Sequence, residues 1–182
     1  MPIRFRPLVR QDVPMLSAWL GQPHVAAWWR EPADPAAIAA RYGPCIDGSD
    51  PTQVFIAEWS GTAFGLIQRY AMSDEPVWQR ALAAAKVPVR SVGLDYLIGV
   101  ERLTGIGLGP AMIAAFVADT FAALPGVEGV VVAVQQDNYR SWRAVEKAGF
   151  SRVWSGVLAS EDPSDAGPSF VYVHARVAGA HA

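Results

Sequence analysis

The chain contains a single cysteine, Cys45, among its 182 residues, so no disulfide can form within it. Its 15 lysines and arginines are balanced by 17 aspartates and glutamates, and they form no basic run of the kind that follows a nucleic-acid backbone. The longest apolar stretch, around residues 106–118, is broken by Pro110 and falls short of the ~20 residues of a membrane span. These shortages exclude a disulfide-held scaffold and argue against nucleic-acid and membrane partners.

The rest of the composition is that of an ordinary globular domain. Apolar residues make up 52% of the chain and charged residues 18%, which is enough for a sizeable core. The length predicts one domain over residues 1–182. Residues 1–10 alternate charged and apolar side chains and lack the apolar centre of a signal peptide. Together with the single cysteine, this predicts a cytoplasmic protein.

Hydrophobic periodicity predicts alternating strands and helices. The predicted strands are Ile3–Leu8, Val54–Trp59, Ala63–Tyr70, Val92–Val100, Val127–Val134, Phe150–Val157 and Phe170–Val177. The predicted helices cover Val13–Leu20 with Asp12 as N-cap, Asp34-Pro35 to near Gly43-Pro44, a piece around Val77–Ala85, Pro110–Leu124 and Tyr139–Ala148. A turn at Ser60-Gly61-Thr62 joins the second and third strands. This order predicts a single α/β domain with a mixed sheet.

A glycine-rich loop separates the fourth predicted strand from the helix that begins at Pro110. Its glycines at positions 105, 107 and 109 bring backbone N–H groups together at a helix N-terminus, where a phosphate can bind. The loop lacks the Gly-Lys-Ser/Thr ending of a nucleotide P-loop, and its strictly alternating glycines do not fit a Rossmann fingerprint. We interpret it as a site for a phosphate-bearing ligand; the alternative is a loop whose glycines only permit a tight turn.

The spacing Arg102-x-x-Gly105-x-Gly107 resembles the pyrophosphate-binding loop of the GCN5-related N-acetyltransferases (GNAT superfamily). The segment from Asn138 to Phe150, NYRSWRAVEKAGF, is similar to another segment widespread in that superfamily. The resemblance implies a mostly antiparallel central sheet flanked by helices, with the fourth and fifth strands splayed, and acetyl-CoA as co-substrate without a metal. The residues implied to hold acetyl-CoA are Leu97, Arg102, Leu103, Thr104, Gly105, Ile106, Gly107, Leu108, Gly109 and Asn138.

Two further segments resemble the aminoglycoside 6′-N-acetyltransferases. One is the His24-x-x-x-Trp28-Trp29 segment, which siderophore-pathway acyltransferases share, and the other is the strand that contains Gly93-Leu94-Asp95. The resemblance implies an aminoglycoside acceptor, acetylated on its 6′-amine, and places His24 outside the chemistry. The residues implied to surround the sugar are Trp28, Trp29, Asp74, Asp95 and Asp165. Carboxylates and aromatic faces suit such a polycation because both attract ammonium groups.

Asp95 is the candidate catalytic residue. A carboxylate in the middle of an apolar strand is costly without a partner. It is interpreted either as the acid that takes up the amine proton or directs its loss, or as a structural acid in a salt bridge. Backbone N–H groups near Leu97 are predicted to polarise the thioester oxygen.

Two positions depart from the family pattern. Many superfamily members carry a tyrosine proton donor where Val145 stands, so Tyr96 and Tyr139 are the candidate substitutes. The aminoglycoside enzymes carry an aspartate near the position of Ala133.

One alternative function is a siderophore-pathway lysine or hydroxylysine N-acyltransferase, although those relatives usually carry histidine at position 95. The other is a non-catalytic acyl-CoA-binding module, and the chain is expected to be a monomer or a homodimer.

Overall fold

The computed structural model describes residues 2–75, 79, 82–83, 85–160 and 166–177. Seven strands form one sheet in the order β1-β2-β3-β4-β5-β7-β6. They are β1 (Ile3–Pro7), β2 (Gln53–Trp59), β3 (Thr62–Ala71), β4 (Ser91–Ile98), β5 (Gly129–Gln135), β6 (Ser151–Val157) and β7 (Pro168–Ala175). Five α-helices within the described residues are α1 (Val13–Leu20), α2 (Pro23–Trp29), α3 (Pro35–Asp47), α4 (Leu108–Ala123) and α5 (Tyr139–Lys147). Among these described strands only β4 and β5 pair in parallel, so the predicted mixed, mostly antiparallel sheet is confirmed.

The helices cover both faces of this sheet. On one face, α1 and α3 pack onto β4 through buried side chains such as Leu16, Ile38 and Leu97. On the other face, α4 and α5 pack through Phe116 and Val145. Because side chains alternate along a strand, β4 sends Leu97 to the first core and its neighbours to the second. The site residues of β4 are therefore held between two packed layers.

A tight hairpin joins β2 to β3. Ser60 and Gly61 both have positive φ angles, 53° and 76°, as a two-residue type I′ turn requires. The predicted turn is confirmed. On its other edge, β3 pairs with β4 in a register that places Gln68 directly opposite Asp95.

The N-terminal helices differ from the prediction. The segment of the tryptophan pair forms a helix, α2, which the periodicity did not indicate because it is only seven residues long. The next helix continues through Pro44. The proline removes only one backbone donor, and the buried side chains of this helix hold it on the core. It ends at Gly48, whose φ is 78°. The Asp34 side chain caps its N-terminus by accepting a hydrogen bond from the Ala37 N–H.

Asp12 stands at the N-cap position of α1, as predicted, but its side chain makes no capping hydrogen bond to the helix. Its carboxylate accepts two hydrogen bonds from the Arg6 guanidinium, at 2.7 and 2.8 Å, and one from the Val9 N–H. Arg6 holds the pKa of this carboxyl below its usual range. A charged, bidentate partner on β1 therefore outcompetes the helix terminus.

The predicted helical piece around Val77–Ala85 falls largely outside the described residues, because residues 76–78, 80–81 and 84 are not among them. None of the described helices is both long and apolar enough to span a membrane.

The parallel pairing of β4 with β5 ends after three residue pairs, the last of which joins Gly93 to Val131. Beyond it the two strands diverge, while β4 remains paired with β3 as far as Ile98. The predicted splay of the fourth and fifth strands is confirmed. It leaves a gap along β4 that begins at Leu94.

Candidate active site

The gap between β4 and β5 opens into a cavity of about 180 Å³, here called the inner cavity. Its wall includes the β4 residues Leu94, Asp95 and Tyr96 and the β5 residues from Val132 to Gln135. Trp28, Trp29, Glu31, Gln68, Asn138 and Ser141 complete it. The splay thus produces a small space with polar and aromatic walls beside Asp95.

A larger cleft of about 820 Å³, here called the outer cleft, adjoins the inner cavity. It extends past the end of β4 to the glycine loop and along α5. The two spaces share the wall residues Trp28, Trp29, Tyr96, Asn138 and Ser141. A ligand lying in the outer cleft can therefore present one end to the inner cavity.

The glycine loop has an open backbone on the side of the outer cleft. Gly105 and Gly107 have φ angles of 76° and 91°, which L-residues with side chains rarely adopt. A Cβ built on either glycine meets no atom within 4 Å, so nothing from the protein fills that space. Gly107 is the N-cap of α4, whose first N–H groups lack helical partners. This geometry fits a phosphate group at the helix N-terminus.

The predicted coenzyme residues of the loop separate into two groups. Thr104, Gly105, Gly107 and Gly109 line the outer cleft, as do Leu97 and Asn138 outside the loop. Leu103 and Leu108 are instead buried in the core, and Arg102 and Ile106 are exposed and not part of the wall. The leucine side chains anchor the loop, because apolar groups next to a core gain more from burial than from facing a phosphate.

Helix α5 supplies cationic side chains that the sequence interpretation did not single out. Arg140, Arg143 and Lys147 recur at helical spacing and all line the outer cleft. The exposed ring of Tyr139 lies on the same wall. Guanidinium and ammonium groups are the side chains that bind phosphates, and α5 places three of them along the outer cleft, whereas Arg102 lies outside its wall.

Backbone directions identify which β4 amides face the gap. The Gly99 N–H donates to the Phe64 carbonyl on the β3 side, and the Ile98 carbonyl accepts from His24 Nε2 on the other side, at 2.9 Å each. Because successive N–H groups of a strand point to opposite edges, the Leu97 N–H points to β3. The amides of Tyr96 and Ile98 point to the gap, so the expected amide donor lies at these neighbours of Leu97.

His24 joins α2 to the end of β4 through this hydrogen bond. Its role is to hold the helix that carries Trp28 and Trp29 against the strand. The tryptophan pair was expected to form a ligand platform, and both rings are half-buried and line the inner cavity as well as the outer cleft.

Asp95 is joined to a buried amide. Gln68 Nε2 donates a hydrogen bond of 2.9 Å to Asp95 Oδ2, and Gln68 is only 4% exposed. The carbonyl oxygen Oε1 of Gln68 is buried and has no hydrogen-bond partner among the described residues. Gln68 therefore orients the carboxylate at the wall of the inner cavity. Sequence reasoning missed it because the pairing of β3 with β4 creates the contact.

Replacing Gln68 with leucine is expected to lower kcat/KM for the acceptor by about tenfold, because Asp95 loses the donor that orients it. The KM for acetyl-CoA should stay within about twofold of the original value, since Gln68 lies outside the outer cleft. Steady-state kinetics with each substrate varied in turn measures both. Gln53→Leu is the matched control, because Gln53 bonds Arg69 in the same sheet outside both spaces. Equal losses in both variants would remove Gln68 from the site.

Tyr96 is the tyrosine at the junction of the two spaces. Its hydroxyl lies 2.7 Å from Ser141 Oγ. Burial raises the pKa of Tyr96 above the usual tyrosine value, so the hydroxyl stays protonated at neutral pH. The other candidate donor, Tyr139, is 60% exposed, and Val145 is fully buried in the core. A protonated hydroxyl is thus available where the spaces meet.

The remaining acidic residues fall in different places. Asp74 is exposed on a 3-10 turn, hydrogen-bonded to Ser73, and lies outside both spaces. Asp165 lies outside the described residues. Glu31, which the sequence interpretation did not single out, lines the inner cavity together with Ala133. Within the part of the chain that the structure describes, no three His, Cys, Asp or Glu side chains form a group that could hold a metal ion.

Solved structures resemble this fold along nearly its whole length. Aminoglycoside acetyltransferase AAC(6')-Ib, in complex with coenzyme A and kanamycin, is 25% identical, with a TM-score of 0.75 over 96% of this chain and 95% of that one. The same enzyme in complex with paromomycin and acetyl-CoA is 25% identical, with a TM-score of 0.76 over 97% and 94%.

An aminoglycoside N(6′)-acetyltransferase from Legionella pneumophila subsp. pneumophila is 16% identical over 96% of this chain and 92% of that one. Its TM-score is 0.71, which shows a shared fold. No curated protein matches the chain by sequence. The model of the acetyltransferase (GNAT) domain matches residues 9–156, and the chain therefore belongs to the GNAT family of acetyltransferases.

Proposed function

We propose that the chain transfers the acetyl group of acetyl-CoA to the 6′-amine of an aminoglycoside. The observation that carries the proposal is the junction of the two spaces, where Trp28 and Trp29 stand beside a cavity that contains Asp95. The likeness to enzymes solved with kanamycin and with acetyl-CoA supports it.

The residues of the outer cleft suit acetyl-CoA. The amides of Gly105 to Gly109 would take the diphosphate, and the cationic side chains of α5 would balance its charge. When bound, the coenzyme supplies an acetyl group activated on sulfur, and the acceptor amine replaces the thiol. The amides of Tyr96 and Ile98 would donate to the acetyl oxygen, as an oxyanion hole does.

The residues of the inner cavity suit an amine. An unperturbed aspartate, with a pKa of ~3.9, is a weak base toward an ammonium group. Asp95 therefore binds and orients the amine, and water or Asp95 carries the released proton away. The tryptophan rings would lie against the sugar and attract its ammonium groups by ~0.5–2 kcal/mol each.

Tyr96 is proposed to protonate the departing thiolate. Tyr96→Phe is then expected to lower kcat by about tenfold with little change in the KM for acetyl-CoA, and Tyr139→Phe should leave kcat unchanged. Steady-state kinetics over a pH series measures both. An unchanged kcat in Tyr96→Phe would mean that the thiolate, with a thiol pKa of ~8.5, leaves without an acid.

The assignment of the acceptor is tested by thiol release from acetyl-CoA. The acceptors compared are kanamycin, an analogue with a 6′-hydroxyl in place of the amine, lysine and a peptide amine. Turnover with kanamycin and none with the 6′-hydroxyl analogue is expected. Equal rates with both would contradict the regiochemistry, preference for lysine would favour the siderophore-pathway reaction, and coenzyme binding without any turnover would favour a binding module.

A further inference from the structure

Glu31 lies in the segment between α2 and α3 and lines the inner cavity with Asp95. Its Oε2 accepts a hydrogen bond of 2.9 Å from the Tyr42 hydroxyl. Tyr42 is 1% exposed and packs in the core with α1, and burial raises its pKa far above the usual tyrosine value. The hydroxyl is therefore a permanent donor on a fixed ring. It holds the Glu31 carboxylate in one position at the cavity wall.

The charged side chains in the described wall of the inner cavity are all negative. Among its described wall residues, Glu31 and Asp95 are the two carboxylates, and no lysine or arginine accompanies them. Glu31 forms an ion pair with Arg41, whose Nε lies 3.8 Å from Oε1 and whose side chain is 49% exposed. An ion pair this long and this exposed neutralises little of the charge. The cavity thus presents one carboxylate more than a single reacting amine requires.

We propose that Glu31 is a specificity-determining residue that binds a second ammonium group of the acceptor. The inner cavity then selects acceptors with two or more amines over acceptors with one. This inference rests on the proposed function, since it assigns the second carboxylate of the same cavity. Asp95 meets the reacting amine, and Glu31 meets an amine that does not react. Glu31 therefore acts on acceptor binding and leaves the acetyl transfer itself to other groups.

Glu31→Gln separates this role from a structural one. The amide oxygen of glutamine can still accept the Tyr42 hydrogen bond, so only the charge is lost. The KM for kanamycin is expected to rise by about tenfold with kcat nearly unchanged, as the loss of one charged contact predicts. The KM for methyl 6-amino-6-deoxyglucoside, which carries one amine, should not change. Glu128→Gln, which removes an acid paired with Arg90 outside both spaces, is the matched control.

Arg41→Gln gives a second test with the opposite sign. Removing the cation beside Glu31 is expected to lower the KM for kanamycin by about twofold, because Arg41 no longer competes with the ammonium group of the acceptor for the Glu31 carboxylate. It also keeps the inference testable if Glu31→Gln melts at a markedly lower temperature than the original chain. A purely structural pair predicts no change in KM from this substitution.

The outcomes distinguish the two proposals. If the original chain acetylates both amines, and neither Glu31→Gln nor Arg41→Gln changes the KM for kanamycin relative to the monoamine, the role of Glu31 is wrong and the proposed function stands. If the original chain binds acetyl-CoA and acetylates neither amine, both proposals are overturned. A change in KM that is equal for both acceptors would also overturn the selection of polyamines.

Discussion

Replacing Asp95 with asparagine is expected to lower kcat at least about tenfold while leaving the affinity for acetyl-CoA unchanged. Asparagine has nearly the same shape and can still accept the hydrogen bond from Gln68, so the sheet should keep its structure. The change removes the negative charge that we propose holds the acceptor amine at the gap between β4 and β5. Steady-state kinetics measures the loss, and calorimetry with acetyl-CoA measures the coenzyme affinity.

The same substitution is expected to shift the pH dependence of kcat in a defined direction. A carboxylate beside an amine favours the charged amine and so raises its pKa in the bound complex. Only the neutral amine reacts, so the acidic limb of the profile should move to lower pH in Asp95→Asn. Asp119→Asn is the matched control, because Asp119 pairs with Arg69 outside both spaces. Unchanged turnover in Asp95→Asn would remove Asp95 from the mechanism.

Gly107→Val is expected to weaken acetyl-CoA binding by about a hundredfold, because two effects act together. Valine is strained at a φ of 91°, and its side chain would project into open space at the wall of the outer cleft. The phosphate-binding amides would then be both displaced and covered. Calorimetric titration with acetyl-CoA measures the dissociation constant.

Gly61→Val separates backbone strain from the loss of the site. Gly61 has a φ of 76° in the hairpin between β2 and β3, and a Cβ built there also meets no atom within 4 Å. The two substitutions should lower the melting temperature by similar amounts, and only Gly107→Val should weaken the binding of acetyl-CoA. Normal coenzyme affinity in Gly107→Val would refute the assignment of the loop.

Local chemistry made much of the fold predictable. The turn at Ser60 and Gly61 depends on residues adjacent in sequence, and its prediction is confirmed. The glycine loop likewise lies before a helix, as its spacing indicated. The resemblance to a known superfamily supplied the splay of β4 from β5, which no periodicity shows.

The polar partners within the site could not be predicted in this way. Gln68 meets Asp95 only because β3 pairs with β4 in one register, 27 residues apart in sequence. Glu31 lies at the wall of the inner cavity, where its carboxylate accepts a hydrogen bond from Tyr42 of α3, 11 residues away in sequence. Arg143 and Lys147 belong to a segment that resembles the superfamily. Their position at the outer cleft depends on how α5 packs, which the segment alone does not show.

The position of the acetyl group on the product tests the central claim most directly. The protein, acetyl-CoA and kanamycin are incubated together, and the purified product is analysed by mass spectrometry and NMR. The account predicts a kanamycin that has gained one acetyl group, carried on the 6′-nitrogen, with one thiol released for each product formed. An acetyl group on a different nitrogen, or unmodified kanamycin in the presence of bound acetyl-CoA, would contradict it.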